Sequence, residues 1–191
     1  SNNGCTQVTM QRTAPTAWVF AACGNFTQGG IHRGTDDDTS AMTQVFSPSL
    51  MARSSLAIAP SNEAIIYVLS ARYGFSGLGE DSVLAVYRSS ANGDPGTFTT
   101  QVNGDTATTI QQRLNRVQLT NPLYAFLNDC GLGTTQNFNQ GWYDNVIAVD
   151  PVDPERVWAG GIDLMRSDDG GVNWGIASYW WKTRGVDPQY S

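Results

Sequence analysis

The sequence predicts an all-β chain built from repeated four-stranded antiparallel sheets. Strand-turn-strand passages recur at a fixed spacing, the composition is rich in turn residues, and one eight-residue stretch combines a turn, a cap and an aromatic anchor. The 191 residues suffice for one sizeable domain with its own core. Hydrophobic residues make up 40% and charged residues 15%, and the 20 Gly with many Thr, Ser and Asn suit short strands joined by tight turns.

Ile58-Ala59-Pro60 matches Val149-Asp150-Pro151, and Ile66-Tyr67-Val68 matches Val157-Trp158-Ala159, each pair 91 residues apart. Both passages place β-branched and aromatic residues around a Pro-containing turn, as strands require. Val86-Tyr87-Arg88-Ser89 then matches Leu164-Met165-Arg166-Ser167 at a spacing of 78, which leaves 13 extra residues in the earlier copy. Upstream, Trp18-Val19-Phe20-Ala21 resembles the second strand and Ile31-His32-Arg33-Gly34 the third. The expected strands are 17–22, 31–34 and about 42–46 in the first unit, with 6–11 as a candidate inner strand. They are 55–59, 64–70, 83–89 and 97–102 in the second unit, and 145–149, 156–160, 162–167 and 173–178 in the third. The units span roughly 6–50, 54–102 and 144–178, with an insertion at 103–143.

Ser167-Asp168-Asp169-Gly170-Gly171-Val172-Asn173-Trp174 fits the pattern Ser-x-Asp-x-Gly-x-x-Trp. Asp169 can accept backbone N–H groups within the turn, Gly171 can adopt φ > 0, and Trp174 can pin the returning strand into the core. The second unit carries a looser version from Ser90 to Phe98, and the first has Asp36-Asp37-Asp38 with the glycine and tryptophan missing. This stretch resembles the Asp-box (BNR-like) repeat of sialidase-type, sortilin-type and xyloglucanase-type β-propellers, where it links the two outer strands of a blade. The resemblance implies about three blades of a larger β-propeller and a structural role for Ser167, Asp169, Gly171 and Trp174. A lone blade cannot cover both its faces, and propellers close with about 4–8 blades. Three blades therefore read as part of a ring completed by further blades or by self-association. The start at Ser1 reads as a processed or excised chain.

Net charge and cation distribution exclude some functions. The net charge is −6, Lys182 is the single lysine, and the arginines are scattered, so neither nucleic acid nor an anionic membrane surface is an expected partner. No apolar run approaches the roughly 20 residues of a bilayer span. Cys5, Cys23 and Cys130 lack metal-site spacing; they allow one disulfide with one free thiol, or three buried thiols. Composition and the family resemblance together favour a secreted, periplasmic or cell-surface location.

Blade topology places the long insertions Cys23–Gly30, Ala71–Asp81 and Asn103–Asn145 on one face, opposite the Asp-box rim, and binding residues gather on such loops. Within the last insertion, Thr108 to Val117 reads as a short helix capped by Thr108, with Ile110, Leu114 and Val117 on one side. Gln140-Gly141-Trp142-Tyr143-Asp144-Asn145 leads into an inner strand, which puts Trp142, Tyr143 and Asp144 near the axis. With Tyr73 and Phe75 they form a candidate aromatic platform for a sugar or a peptide; plugging the space between blades is the structural alternative. Asp36 and Asp38 could hold Ca²⁺ with backbone carbonyls, or form a solvated acidic rim. No other cofactor is expected. His32 occupies the position of Tyr87 and Met165, and Arg33, Arg88 and Arg166 recur at one place per unit, so both sets read as structural.

The expected function is recognition of a glycan or protein ligand. Sialidase-type enzymes use an arginine cluster, a Tyr/Glu pair and an acidic Asp, and no such constellation maps onto this chain. Xyloglucanase-type enzymes use two carboxylates on facing domains; Asp144 or Glu80–Asp81 can supply one, the other lying outside these residues. The alternatives are therefore part of a glycoside hydrolase, or a purely structural set of blades.

Overall fold

The computed structural model describes residues 4–13, 17–38, 41–74, 79–116, 118–120 and 139–178. Phe75, Cys130, the apolar run 123–127 and the tail beyond Ser178 lie outside the described residues. Among the described residues, twelve strands form three sheets: β1 (Cys5–Met10), β2 (Trp18–Cys23), β3 (Gly30–Thr35) and β4 (Thr43–Phe46); β5 (Met51–Ile58), β6 (Ile66–Arg72), β7 (Val83–Ser89) and β8 (Thr99–Asn103); β9 (Val146–Val149), β10 (Val157–Gly160), β11 (Leu164–Ser167) and β12 (Gly175–Ser178). Each sheet is an antiparallel meander in sequence order. The first strands are neighbours in space, β5 lying against both β1 and β9, so the sheets stack like propeller blades around a shared inner edge.

The three sheets repeat one register. Ala21 faces His32, Val68 faces Tyr87 and Ala159 faces Met165 across the second and third strands. A shift in register between third and fourth strands falls at the same place each time: Ile31/His32, Val86/Tyr87 and Leu164/Met165. A bulge increases local twist and turns the outer strand away from the blade plane. This irregularity is a backbone property with no residue signature, so sequence matching could not foresee it.

Alternation along the strands sends one residue set to the preceding blade and the other to the following one. Phe20 and Ile31 of the first blade pack with Leu56, Ile66, Val68 and Tyr87 of the second. Tyr67, Leu69 and Val86 pack in turn with Ile147, Val157, Met165 and Trp174 of the third. Burial pushes the Tyr67 phenol up to about 12, so it stays protonated and donates to the Pro154 carbonyl at 2.9 Å.

The Ser167–Trp174 turn is closed by its own side chains. Ser167 Oγ accepts from the Gly171 amide at 3.0 Å and donates to Asp169 Oδ1 at 2.8 Å. Asp169 also accepts from the Asn173 amide at 2.9 Å, and Trp174 Nε1 donates to the Gly171 carbonyl at 2.7 Å. Gly170 and Gly171 sit at φ 72° and 88°, which a side chain would resist. In the second blade Ser89 Oγ accepts from the Ala91 and Gly93 amides, both at 3.2 Å. Ser89 and Gly93 thus stand where Ser167 and Gly171 do, Ala91 takes the place of Asp169, and Phe98, stacked on Phe46 at 4.5 Å, does the work of the tryptophan.

The insertion departs from expectation. Its helix α1 is Ile110–Asn115, with Thr109 and not Thr108 as cap, paired with Gln112 in a capping box. Ile110 is 81% exposed, so it does not share the buried side with Leu114. The helix lies beside the Ser167–Trp174 turn instead of on the opposite face. Asn115 accepts from the Trp174 amide at 3.0 Å and donates to the Val172 carbonyl at 2.7 Å, while Gln111 donates to the Trp174 carbonyl at 2.8 Å. Backbone groups entering the edge strand β12 thereby find partners.

Glu63, in the β5–β6 turn, accepts from the Arg12 and Thr13 amides and from the Thr13 hydroxyl, joining the first two blades. Burial pushes its carboxyl upward, but these donors outweigh it and hold it below its ordinary 4.5. Asp169 shows the same balance, burial opposed and outweighed by Asn173 and Ser167, and lies below 3.8. A carboxylate depressed in the folded state contributes stability that is complete above its ordinary value and is lost as pH falls through the folded one. The urea midpoint is therefore expected to hold down to about pH 5 and to fall steadily toward pH 3. Glu63→Gln should flatten that fall; an unchanged slope would contradict the assignment.

Candidate ligand-binding face

Three loops converge at one end of the blades: β2–β3, β6–β7 and the last part of the β8–β9 connection. The Gly141 amide donates to the Asp81 carbonyl at 2.9 Å, and Asn139 Nδ2 donates to the Glu80 carbonyl at 3.0 Å. A Cβ on Gly141 would come within 2.7 Å of the Ala71 Cβ, so only glycine lets the turn sit this close to β6.

From Gly141 the chain makes a tight turn, the Tyr143 and Asp144 amides donating to the Gln140 carbonyl at 2.8 and 2.7 Å. The inner strand of the second blade locks it in place. Arg53 Nη1 donates to the Trp142 carbonyl at 2.8 Å, Ser55 Oγ to the Asn145 carbonyl at 2.6 Å, and Asn145 Nδ2 to the Arg53 carbonyl at 3.2 Å. The backbone is held on one side and the rings stand out on the other. Trp142 is 39% exposed and Tyr143 65%. Their ring centroids are 5.4 Å apart, and Phe26 of the β2–β3 loop, 61% exposed, stands 5.9 Å from Trp142.

The Phe26 loop is fastened at both ends. Gly24, at φ 107°, donates to the Gly4 carbonyl at 3.0 Å, and Gly29 donates to the Met51 carbonyl at 2.6 Å. A Cys5–Cys23 disulfide ties its base to β1 and closes a span of 18 residues. Reduction is expected to lower stability by about 2–4 kcal/mol through regained unfolded-state freedom. Thermal melts with and without reductant check this; coincident midpoints would contradict it.

Phe26, Arg53 and Asn145 were not singled out from sequence. Phe26 lies in a loop marked by its length, yet its partner Trp142 is remote in sequence and only blade stacking brings them together. Asp144 is half-buried beside the rings. Tyr73 is 40% exposed just beyond β6, and among the described residues it shares no ring contact with the cluster. Asp81, at φ 62°, has its carboxyl raised by burial and by neighbouring Glu80.

The other predicted residues lie elsewhere. Asp36 and Asp38 are exposed in the turn after β3, and among the described residues no three His, Cys, Asp or Glu side chains converge as a metal site. His32 is half-buried in the third strand. Each recurring arginine lies over a ring of its own blade: Arg33 over Trp18 at 4.1 Å, Arg88 over Tyr67 at 5.7 Å, Arg166 over Trp158 at 5.2 Å. No described helix is long and apolar enough to cross a membrane.

No protein-family model and no curated protein matches the chain. Among solved structures, the GH74 enzyme of Niastella koreensis aligns with TM-score 0.53 at 18% identity, over 96% of this chain and 22% of that enzyme. The chain has the fold of propeller blades. A GH74 xyloglucanase from Xanthomonas campestris aligns with TM-score 0.47 at 12% identity, over 88% of this chain and 22% of that one. At 18% identity the likeness to the Niastella koreensis enzyme is one of fold, and this chain spans about a fifth of the length of either enzyme.

Proposed function

We propose that these blades form the recognition part of a secreted, periplasmic or cell-surface propeller of the Asp-box type, and that the loop-rich face binds a glycan. The observation that carries this reading is the cluster of Phe26, Trp142 and Tyr143, exposed rings on a backbone locked from behind. Rings in mutual contact present apolar faces to the axial C–H groups of a β-linked glucan, at little entropic cost because the platform is already formed. The Asp-box assignment draws support from the side-chain closure of the Ser167–Trp174 turn and its reduced copy at Ser89–Gly93. A disulfide favours an oxidising compartment.

A part-hydrolase role is the second reading. The Asp81 carbonyl receives the Gly141 amide of the platform turn and Asp144 follows Tyr143 in the chain; the Asp81 carboxyl is kept protonated to higher pH than usual, and glycoside hydrolysis needs a protonated and an ionised carboxyl. Calorimetric titration with cello-oligosaccharides, a sialoside and a tryptic peptide mixture separates these ideas. Saturable uptake of cello-oligosaccharides without cleavage is the expected result. Peptide binding alone would overturn the glycan reading, and cleavage abolished by Asp144→Asn would establish the hydrolase.

A further inference from the structure

We propose that the Phe26–Trp142–Tyr143 face takes one single, uncharged β-linked glycan chain, a sugar to each ring, and turns away the flat surface of a crystalline polysaccharide. This rests on the glycan-binding reading and names the form of glycan that fits. The rings gather around the middle blade, which has a neighbour on either side. Phe26 comes from the first blade, the backbone anchors Arg53 and Ser55 from the second, and Trp142 and Tyr143 lead into the third.

Ring orientation decides between a sheet and a chain. Sugars in a crystalline sheet lie in one plane, and rings that grip such a sheet must be coplanar. Here the Phe26 and Trp142 planes meet at 38°, and those of Trp142 and Tyr143 at 50°. A flat surface resting on one ring meets the next at a slant, and a gap of about 1 Å already forfeits about half of a dispersion contact. A single chain in solution rotates about each glycosidic bond, so successive sugars follow the turn from ring to ring. Exposure agrees with this. Trp142, the middle ring, is 39% exposed between Phe26 at 61% and Tyr143 at 65%, so the outer rings flank and shield it. A narrow chain enters between flanking rings, whereas a broad face rides on their edges.

Spacing sets the length and charge sets the kind. The centroids are 5.9 and 5.4 Å apart, close to the advance of one sugar along a β-linked chain, so the row offers a position for a sugar at each ring. Asp144 follows Tyr143, and Glu80 and Asp81 accept from Asn139 and Gly141 at their carbonyls, so carboxylates belong to the segments that frame the rings. Arg53 donates to the Trp142 carbonyl from behind the turn. Carboxylates accept the hydroxyl donors of a neutral sugar and repel a uronate or a sialoside.

Calorimetric titration of the full chain with cello-oligosaccharides of increasing length, and capture on acid-swollen against microcrystalline cellulose, test this. Affinity should rise at least about tenfold from the disaccharide to the trisaccharide and flatten beyond the tetrasaccharide. Swollen cellulose should retain the chain, and microcrystalline cellulose of equal accessible area at least about tenfold less of it. Oligosaccharides of the same backbone oxidised to uronates should bind at least about tenfold more weakly at low salt, with the gap closing as salt rises. Trp142→Ala should lose retention on swollen cellulose; retention by this variant would place binding elsewhere and overturn the proposal. Equal retention on the two celluloses, affinity still climbing steeply at the hexasaccharide, or uronates bound as tightly as neutral chains would overturn it and leave the glycan reading standing. Binding to no saccharide at all would overturn both.

Discussion

Trp174→Ala is expected to lower stability by about 3–5 kcal/mol, the range for truncating a large buried aromatic. Trp174 is 2% exposed and lies in the cluster shared by the second and third blades, so the cavity opens at their interface. The substitution also removes the Nε1–H donor from the Gly171 carbonyl, loosening a turn whose backbone already sits at positive φ. Against a total of about 5–15 kcal/mol for a typical domain, this is a large share. Trp174→Phe retains most of the packing and should cost roughly half as much. Urea unfolding measures both. A loss under about 1 kcal/mol for the alanine variant would mean that Trp174 does not anchor the outer strand.

Trp142→Ala should have the opposite profile, leaving the fold nearly intact and removing the ligand. Trp142 is the middle ring, touching both Phe26 and Tyr143, so its loss separates the remaining two. Its backbone anchor, the Arg53 bond to the Trp142 carbonyl, survives in alanine. Stability is expected to change by about 0.5 kcal/mol or less. Affinity for a β-linked glucan should fall at least about tenfold, equivalent to about 1.4 kcal/mol. Phe26→Ala and Tyr143→Ala, at the ends of the cluster, should each cost less. Equal affinity in wild type and Trp142→Ala would remove the platform from the account.

The strand pattern was legible because each blade states it again. The 91-residue spacing aligns β5–β6 with β9–β10, and the observed registers agree: Ile58 pairs with Ile66 in one sheet as Val149 pairs with Val157 in the other. The position of α1 was not legible. A six-residue helix offers too few turns for periodicity to identify its buried side, and its place is set by Gln111 and Asn115 reaching the backbone around Trp174, a long-range contact. At the candidate site, Trp142 and Tyr143 stood out from their place before an inner strand. Phe26 did not, since only stacking of the blades brings its loop over that strand. The arginines were visible as a recurrence, but the acids that pair with Arg33 and Arg88, Asp94 and Glu155, lie in the next blade and far along the chain.

The most direct test of the glycan-binding claim is a map of amide and ring chemical shifts on titrating the full chain with a cello-oligosaccharide. The account predicts saturable changes centred on Phe26, Trp142, Tyr143 and the Gln140–Asn145 turn, with the Ser167–Trp174 rim unmoved. Changes clustered on that rim, or none at millimolar sugar, would contradict it.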